Sequence, residues 1–239
     1  MMPIHLSFDL LALGLGVATS YWFRRTHRLS RPIGVTNESH YHIYLLVIVL
    51  GLIGGGLLFG TLNLALSGKE GFAKSLIGAL LGAIAGAEIT KYILRIKGST
   101  GLYFVPGLVV VIIVGRIGCF AAGLPDFTYG TETDLPWAVD FGDGVGRHPV
   151  QLYESLSMAA FLGIFLATFA RHRTAWEQRG FYWMVMYYAG QRFIWEYLKP
   201  YASVVGNLNL FQLISLVLVA YSATMLARHG VGNDGRTTT

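Results

Sequence analysis

The sequence predicts an all-α integral membrane protein: a seven-span helical bundle, N-terminus out and C-terminus in, with a small outer-face cap. Three observations predict it. Hydrophobic types make up 54% of the 239 residues and charged types only 13%, against a usual ~25%, and mean hydropathy is +0.53. Seven stretches, near 4–23, 41–62, 73–94, 102–123, 148–170, 180–198 and 208–228, reach the roughly 20 mostly apolar residues that a span requires. Basic residues cluster at the ends of those stretches, as topology signals do. With 18 basic and 13 acidic side chains, a soluble fold of this size could not clothe its surface. Disorder, collagen-like repeats and a disulfide scaffold are excluded by the same composition. No linker or repeat divides the chain, so residues 1–239 read as one transmembrane domain.

Each element follows in order. Span one carries Asp9, and its leading run MMPIHLSFDL lacks the basic start and small-residue cleavage site of a signal peptide, so it reads as a retained span. Span two holds glycines at 54–56 and 60. Span three carries Gly78, Gly82 and Gly86, a small-xxx-small ridge for close helix packing. Its Glu88 and Lys91 read as an interhelical pair or as snorkelling groups. The stretch 124–147 after span four contains five acidic residues and several turn signals. Its alternating run near Pro136–Phe141 predicts a short β arm in the cap. Span five opens at His148-Pro149, with proline in the first turn, where its missing N–H is harmless.

Orientation comes from the lysines and arginines. Arg24, Arg25, Arg28, Arg31, Arg95, Lys97, Arg171, Arg173, Arg179, Arg228 and Arg236 fall in one alternating set of loops. Only Lys69, Lys74, Arg147 and Lys199 fall in the other, which places the first set in the cytoplasm. The net charge of +5 does not point to nucleic acid, because no basic patch is interleaved with aromatics.

Ionisable groups at membrane depth cost at least ~2.5–3.5 kcal/mol and mark functional sites. Arg116 lies about 10 Å from the outer end of span four, and Arg192 and Glu154 about 9 Å deep in spans six and five. Three spans thus bring charge to one level in the outer half. Tyr188, Arg192 and Glu196 are successive i, i+4 neighbours, so Glu196 can orient Arg192. In span five His148, Gln151 and Ser155 share a face, with Glu154 about 60° beyond. Such charges can be mere interhelical glue. Two arginines converging at one depth point instead to an anionic ligand, and a phospholipid head group suits the position. Cys119 reads as a packed core cysteine with no base adjacent in sequence. His5 and the other flanking histidines make no metal-ligand spacing, so no metal is expected.

The runs GRIGCFAAG (115–123) and RHPVQLYES (147–155), with the Tyr188, Arg192, Glu196 spacing, resemble the phosphatidylglycerol–prolipoprotein diacylglyceryl transferase family over about residues 73–200. That resemblance implies a transferase of the bacterial inner membrane with its active site in the outer half. It would move the diacylglyceryl group of phosphatidylglycerol onto the lipobox cysteine of a prolipoprotein signal peptide, releasing sn-glycerol 1-phosphate. The catalytic set implied is Arg192, His148, Glu196 and Tyr188, with His148 the candidate base for the thiol. Phosphatidylglycerol would be held by Arg116, Arg192, Gln151, Glu154 and Lys74. No cofactor and no nucleic acid are implied. The family's His-Gly-Gly motif is missing: the corresponding stretch reads AKSLIGALLG, with Ala73, Lys74 or Ser75 in the histidine's place, depending on alignment. Cys119 stands where the family usually has asparagine, and a glutamate near Leu124 is absent unless Asp126 replaces it. The residues leave open an alternative, a non-catalytic or differently specific relative that binds or translocates an anionic phospholipid.

Overall fold

The structure, a computed structural model, describes residues 2–29, 38–96 and 98–231; Arg31, Lys97 and Arg236 of the orientation argument lie outside them. Seven long helices account for most of it: α1 (Met2–His27), α2 (Glu38–Leu66), α3 (Leu76–Ile93), α4 (Val105–Ala122), α5 (Val150–Phe169), α6 (Arg173–Trp195) and α7 (Leu210–Val231). Six of these, all but α6, are long and apolar enough to cross a membrane. α6 is interrupted by Arg173, Glu177, Arg179 and Arg192, although its 23 residues extend about 35 Å. Leu6, Leu10, Leu13 and Val17 of α1 and Leu46, Leu50 and Ile53 of α2 stand exposed, as side chains facing lipid do.

The chain forms two compact units. The first comprises residues 1–29, 103–176 and 191–200. Within it α1 runs antiparallel to α4, and the register is set by small residues. A Cβ on Gly107 would lie 2.5 Å from the carbonyl oxygen of Gly16, and one on Gly118 would lie 2.5 Å from Phe8 Cβ. At the other end Arg24 stacks over the Tyr103 ring at 4.0 Å. This pairing carries the start of α1 to the last turn of α4. α5 joins α4 through Ser155, whose hydroxyl donates to the Ile113 carbonyl at 3.1 Å. Phe23, Phe165, Phe169 and Trp176 fill the far end with rings 4.8–5.1 Å apart.

The predicted β arm is present as a hairpin of β1 (Val139–Asp140) and β2 (Gly146–Arg147), paired Val139 to Arg147 and Asp140 to Gly146. Asp140 Oδ1 closes its turn by accepting from the backbone N–H groups of Gly142, Asp143 and Gly144 at 2.8–3.0 Å. The Arg147 guanidinium, 2.7 Å from Asp143, holds that carboxyl below the usual range. Two predicted span starts are corrected. α5 begins at Val150, because Pro149 caps it in a non-helical conformation (ψ 63°). His148 therefore lies off the helix, its backbone N–H donating to Thr131. α3 begins at Leu76 behind its N-cap Ser75, which leaves Lys74 in the approach rather than in the span.

The second unit comprises residues 30–102, 177–190 and 201–239, with β3 (Ser203–Val205) and β4 (Leu208–Asn209) beside α7. Here the predicted glycine ridge is borne out: Gly78 and Gly82 of α3 face Gly55 and Gly51 of α2 so closely that backbone meets backbone. Glu88 and Lys91 pair along α3 at 2.9 Å, and Tyr221 donates to Glu88 at 2.8 Å. A Cβ on Gly82 would fall on the Gly51 carbonyl oxygen, whereas one on Gly54 meets nothing within 4 Å. Gly82→Val is accordingly expected to cost about 1–3 kcal/mol by overpacking, read as a lower Tm in detergent, with Gly54→Ala as the unaffected control.

Candidate active site

Glu154, one turn into α5, is fully buried and gathers three cations. Arg116 of α4 approaches with Nε 2.7 Å from Oε2. Arg192, near the end of α6, donates through Nη1 to both carboxylate oxygens at 2.8–2.9 Å. Lys199 Nζ lies 2.5 Å from Oε1. After Trp195 the chain tightens into a 3-10 turn, Glu196–Leu198, which swings Glu196 and Lys199 back into the cluster. Glu196 Oε1 accepts from Arg192 Nη2 at 2.7 Å and from Lys199 at 3.2 Å. The i, i+4 pairing of Arg192 with Glu196 is as the sequence predicts. Lys199, counted with the outer-loop basic residues although helical phase puts it on the arc of Arg192 and Glu196, is 5% exposed and bonded to both carboxylates.

These five side chains carry three positive and two negative charges. Burying cations is costly unless anions accompany them, and a bound anion would add to the two carboxylates here. Two side chains beside the cluster also keep polar atoms in reserve. Gln151 is fully buried, its Nε2 donating to Thr128 Oγ1 at 3.4 Å, while its Oε1 has no hydrogen-bond partner among the described residues. Gln191 accepts from Trp195 at 3.0 Å, and its Nε2 is likewise without a partner among them. Buried unsatisfied amide atoms of this kind are rare unless a ligand or ordered water completes them.

The other predicted site residues are His148, Tyr188 and Lys74. The His148 ring contacts the Tyr153 hydroxyl at 3.4 Å, and Trp137 donates to that hydroxyl at 2.7 Å. Tyr188, buried in α6 one turn before Arg192, and Lys74 both belong to the second unit.

A second cluster escaped the sequence reading. The antiparallel pairing of α1 with α4 brings His5 to Cys119, with Nε2 3.8 Å from Sγ. The turn after α4, entered at Gly123 (φ +69°), returns Asp126 to the same ring, Oδ1 to Nε2 being 3.0 Å. Arg116 Nη1 reaches Cys119 Sγ at 4.0 Å, which ties this group to the Glu154 hub. Cys119 is thus corrected from an isolated core cysteine to the neighbour of a histidine 114 residues away in sequence. The Gly16/Gly107 crossing is the signal that could have found it.

The family model of the prolipoprotein diacylglyceryl transferases matches residues 4–228. The chain belongs to this family. Among proteins named phosphatidylglycerol–prolipoprotein diacylglyceryl transferase, that of Polynucleobacter necessarius is 30% identical over 240 residues, covering 87% of this chain and 89% of the relative. Those of Geobacter sulfurreducens (95% and 94% covered) and Solidesulfovibrio magneticus (95% and 97%) are each 28% identical. No solved structure gives a significant match. Membership in the transferase family bears out the sequence resemblance and extends it from residues 73–200 to nearly the whole chain.

Proposed function

We propose that the chain transfers the diacylglyceryl group of phosphatidylglycerol to the lipobox cysteine thiol of a prolipoprotein and releases sn-glycerol 1-phosphate. The observation that carries this reading is the buried Glu154 hub, where two guanidinium groups and an ammonium converge, a set of donors that suits a phosphodiester monoanion. Sulfur attacks the glyceryl carbon, the carbon–oxygen bond to phosphate breaks, and negative charge grows on the phosphate oxygens. Arg116 and Arg192 stabilise that charge from a pre-formed, water-poor position. Glu154 and Glu196 hold the two guanidinium groups, and Gln151 offers its unused amide oxygen to the glycerol hydroxyls of the head group. Tyr188 orients the head group. Lys74, in the stretch where the motif histidine is missing, substitutes as a head-group ligand or as a base. His148 is the first candidate for the base receiving the thiol proton.

In this reading all seven long helices cross the bacterial inner membrane, N-terminus out and C-terminus in. The charged cluster lies in the outer half, where a translocated precursor presents its cysteine. The deciding experiment is transfer of label from radiolabelled phosphatidylglycerol to a lipobox peptide by the full chain in detergent. Thioether-linked label is expected from the wild type and none from Arg192→Ala. Phosphatidylglycerol bound but never transferred would favour a lipid-binding relative instead. His148→Gln should lower transfer; turnover equal to that of the wild type would remove His148 as base.

A further inference from the structure

Thiol alkylation needs a thiolate, and the histidine that the family motif carries is missing here. The structure offers a different device. His5 Nε2, Cys119 Sγ and Asp126 Oδ1 all lie within 4.8 Å of one another. A proton on Nε2 serves the carboxylate at 3.0 Å and leaves the sulfur, 3.8 Å away, to the Arg116 guanidinium at 4.0 Å, whereas a metal cation would take one lone pair from each of the three. Tetrahedral zinc with such ligands has donor–donor edges of roughly 3.3–3.6 Å, so the separations of carboxylate and sulfur from Nε2 are within about half an ångström of the required geometry. The mixed nitrogen, sulfur and oxygen set selects zinc over hard cations, which take oxygen, and over copper(I), which takes soft sulfur.

The surrounding groups are those that orient metal ligands. Nδ1 of His5 lies 3.2 Å from Asp9 Oδ2, one helical turn along α1; with its proton on Nδ1 the ring donates to that carboxylate and leaves the Nε2 lone pair for a metal. Thr128 donates to the other oxygen of Asp126 at 2.6 Å, which fixes that carboxylate and leaves Oδ1 to point at His5. Thr128 in turn receives the Gln151 amide. Side-chain exposures of 29% for His5 and 15% for Asp126 leave a path for an ion and for a fourth ligand.

We propose that His5, Cys119 and Asp126 form a zinc site whose open fourth position takes the acceptor's cysteine sulfur. The metal site stands on its own geometry; its part in the thiol step rests on the transferase reading. Coordination removes the thiol proton outright, and the proton passes to the base placed at His148. The bound thiolate then forms the S–C bond to the glyceryl carbon while the C–O bond breaks. Its electron pair leaves on the phosphate oxygen held by Arg116, the residue that touches both clusters. Zinc is unchanged in oxidation state and is freed of sulfur as the thioether forms.

The test is zinc content of the full chain in detergent, loaded with zinc and dialysed against metal-free buffer, beside His5→Ala, Cys119→Ser and Asp9→Asn. About one equivalent is expected to stay with the wild type and to be lost from His5→Ala and Cys119→Ser. Asp9→Asn, which keeps shape and every proposed ligand, is expected to weaken zinc binding about 10–100-fold. Cobalt loaded in place of zinc should show a thiolate-to-metal charge-transfer band in the wild type that Cys119→Ser lacks, a readout that a structural cysteine would not give. A wild type that holds no zinc, or a Cys119→Ser variant that holds it equally well, overturns the site. If chelation strips the zinc and labelled transfer continues unchanged, the thiol step falls while the transferase reading stands. Zinc held at these ligands without any transfer keeps the metal site and overturns the transferase reading.

Discussion

Glu154→Gln is expected to lower the stability of the chain by about 3–5 kcal/mol, the cost of leaving buried charge uncompensated. For a chain of this size that is a fall in Tm of roughly 6–20 °C, measured by thermal unfolding in detergent. The physical reason is that one carboxylate serves Arg116, Arg192 and Lys199 at 2.5–2.9 Å. Gln keeps the shape and one acceptor oxygen but removes the negative charge on which the three cations converge. Glu196→Gln should cost less, because Arg192 and Lys199 each retain Glu154. A charge-balanced pair, Glu154→Gln with Lys199→Met, restores the net charge of the cluster and should recover part of the loss. Absence of any recovery would show that Glu154 acts through packing rather than charge.

Composition alone made the membrane class legible, since no soluble surface can be built from this chain, and the long apolar runs located six helices without ambiguity. α6 was legible as the apolar stretch 180–198, but the helix starts at Arg173, and Arg173, Glu177, Arg179 and Arg192 leave it more polar than the other six. The site was half legible. Helical period placed Glu196 one turn from Arg192, and equal depth put Arg116, Arg192 and Glu154 within reach of one another. Both inferences need only regular helices. Helical phase also set Lys199 on the arc of Arg192 and Glu196. Its place at the end of span six counted it with the outer-loop basic residues and left it out of the site; a 3-10 turn folds it inward. His148 was placed on a helical face that Pro149 excludes it from. His5, Cys119 and Asp126 were invisible for a third reason: their meeting depends on which helices pair and in what direction, and a single sequence records that only through its small residues. Gly16, Gly107 and Gly118 carry that information, but its meaning emerges once α1 is seen lying along α4.

Arg116→Ala and Arg192→Ala should each reduce transfer by roughly 10²–10³-fold, the effect of removing one donor aimed at developing charge. The informative variants are the lysines. Arg192→Lys keeps a cation beside Glu154 and Glu196, so the fold and the charge balance survive, but the planar fork that spans both carboxylates at 2.7–2.9 Å is lost. If the guanidinium acts on the leaving phosphate, kcat should fall far more than KM rises, because the missing contact matters most when charge has grown. If it serves only to bind the lipid, KM should rise with kcat unchanged. Arg116→Lys separates the two clusters: Arg116 reaches Glu154 through Nε and Cys119 through Nη1, and an ammonium point charge cannot serve both. Transfer is therefore expected to fall in Arg116→Lys although phosphatidylglycerol still binds, and turnover near that of the wild type would mean that neither the phosphate clamp nor the link from Arg116 to the thiol belongs to the reaction.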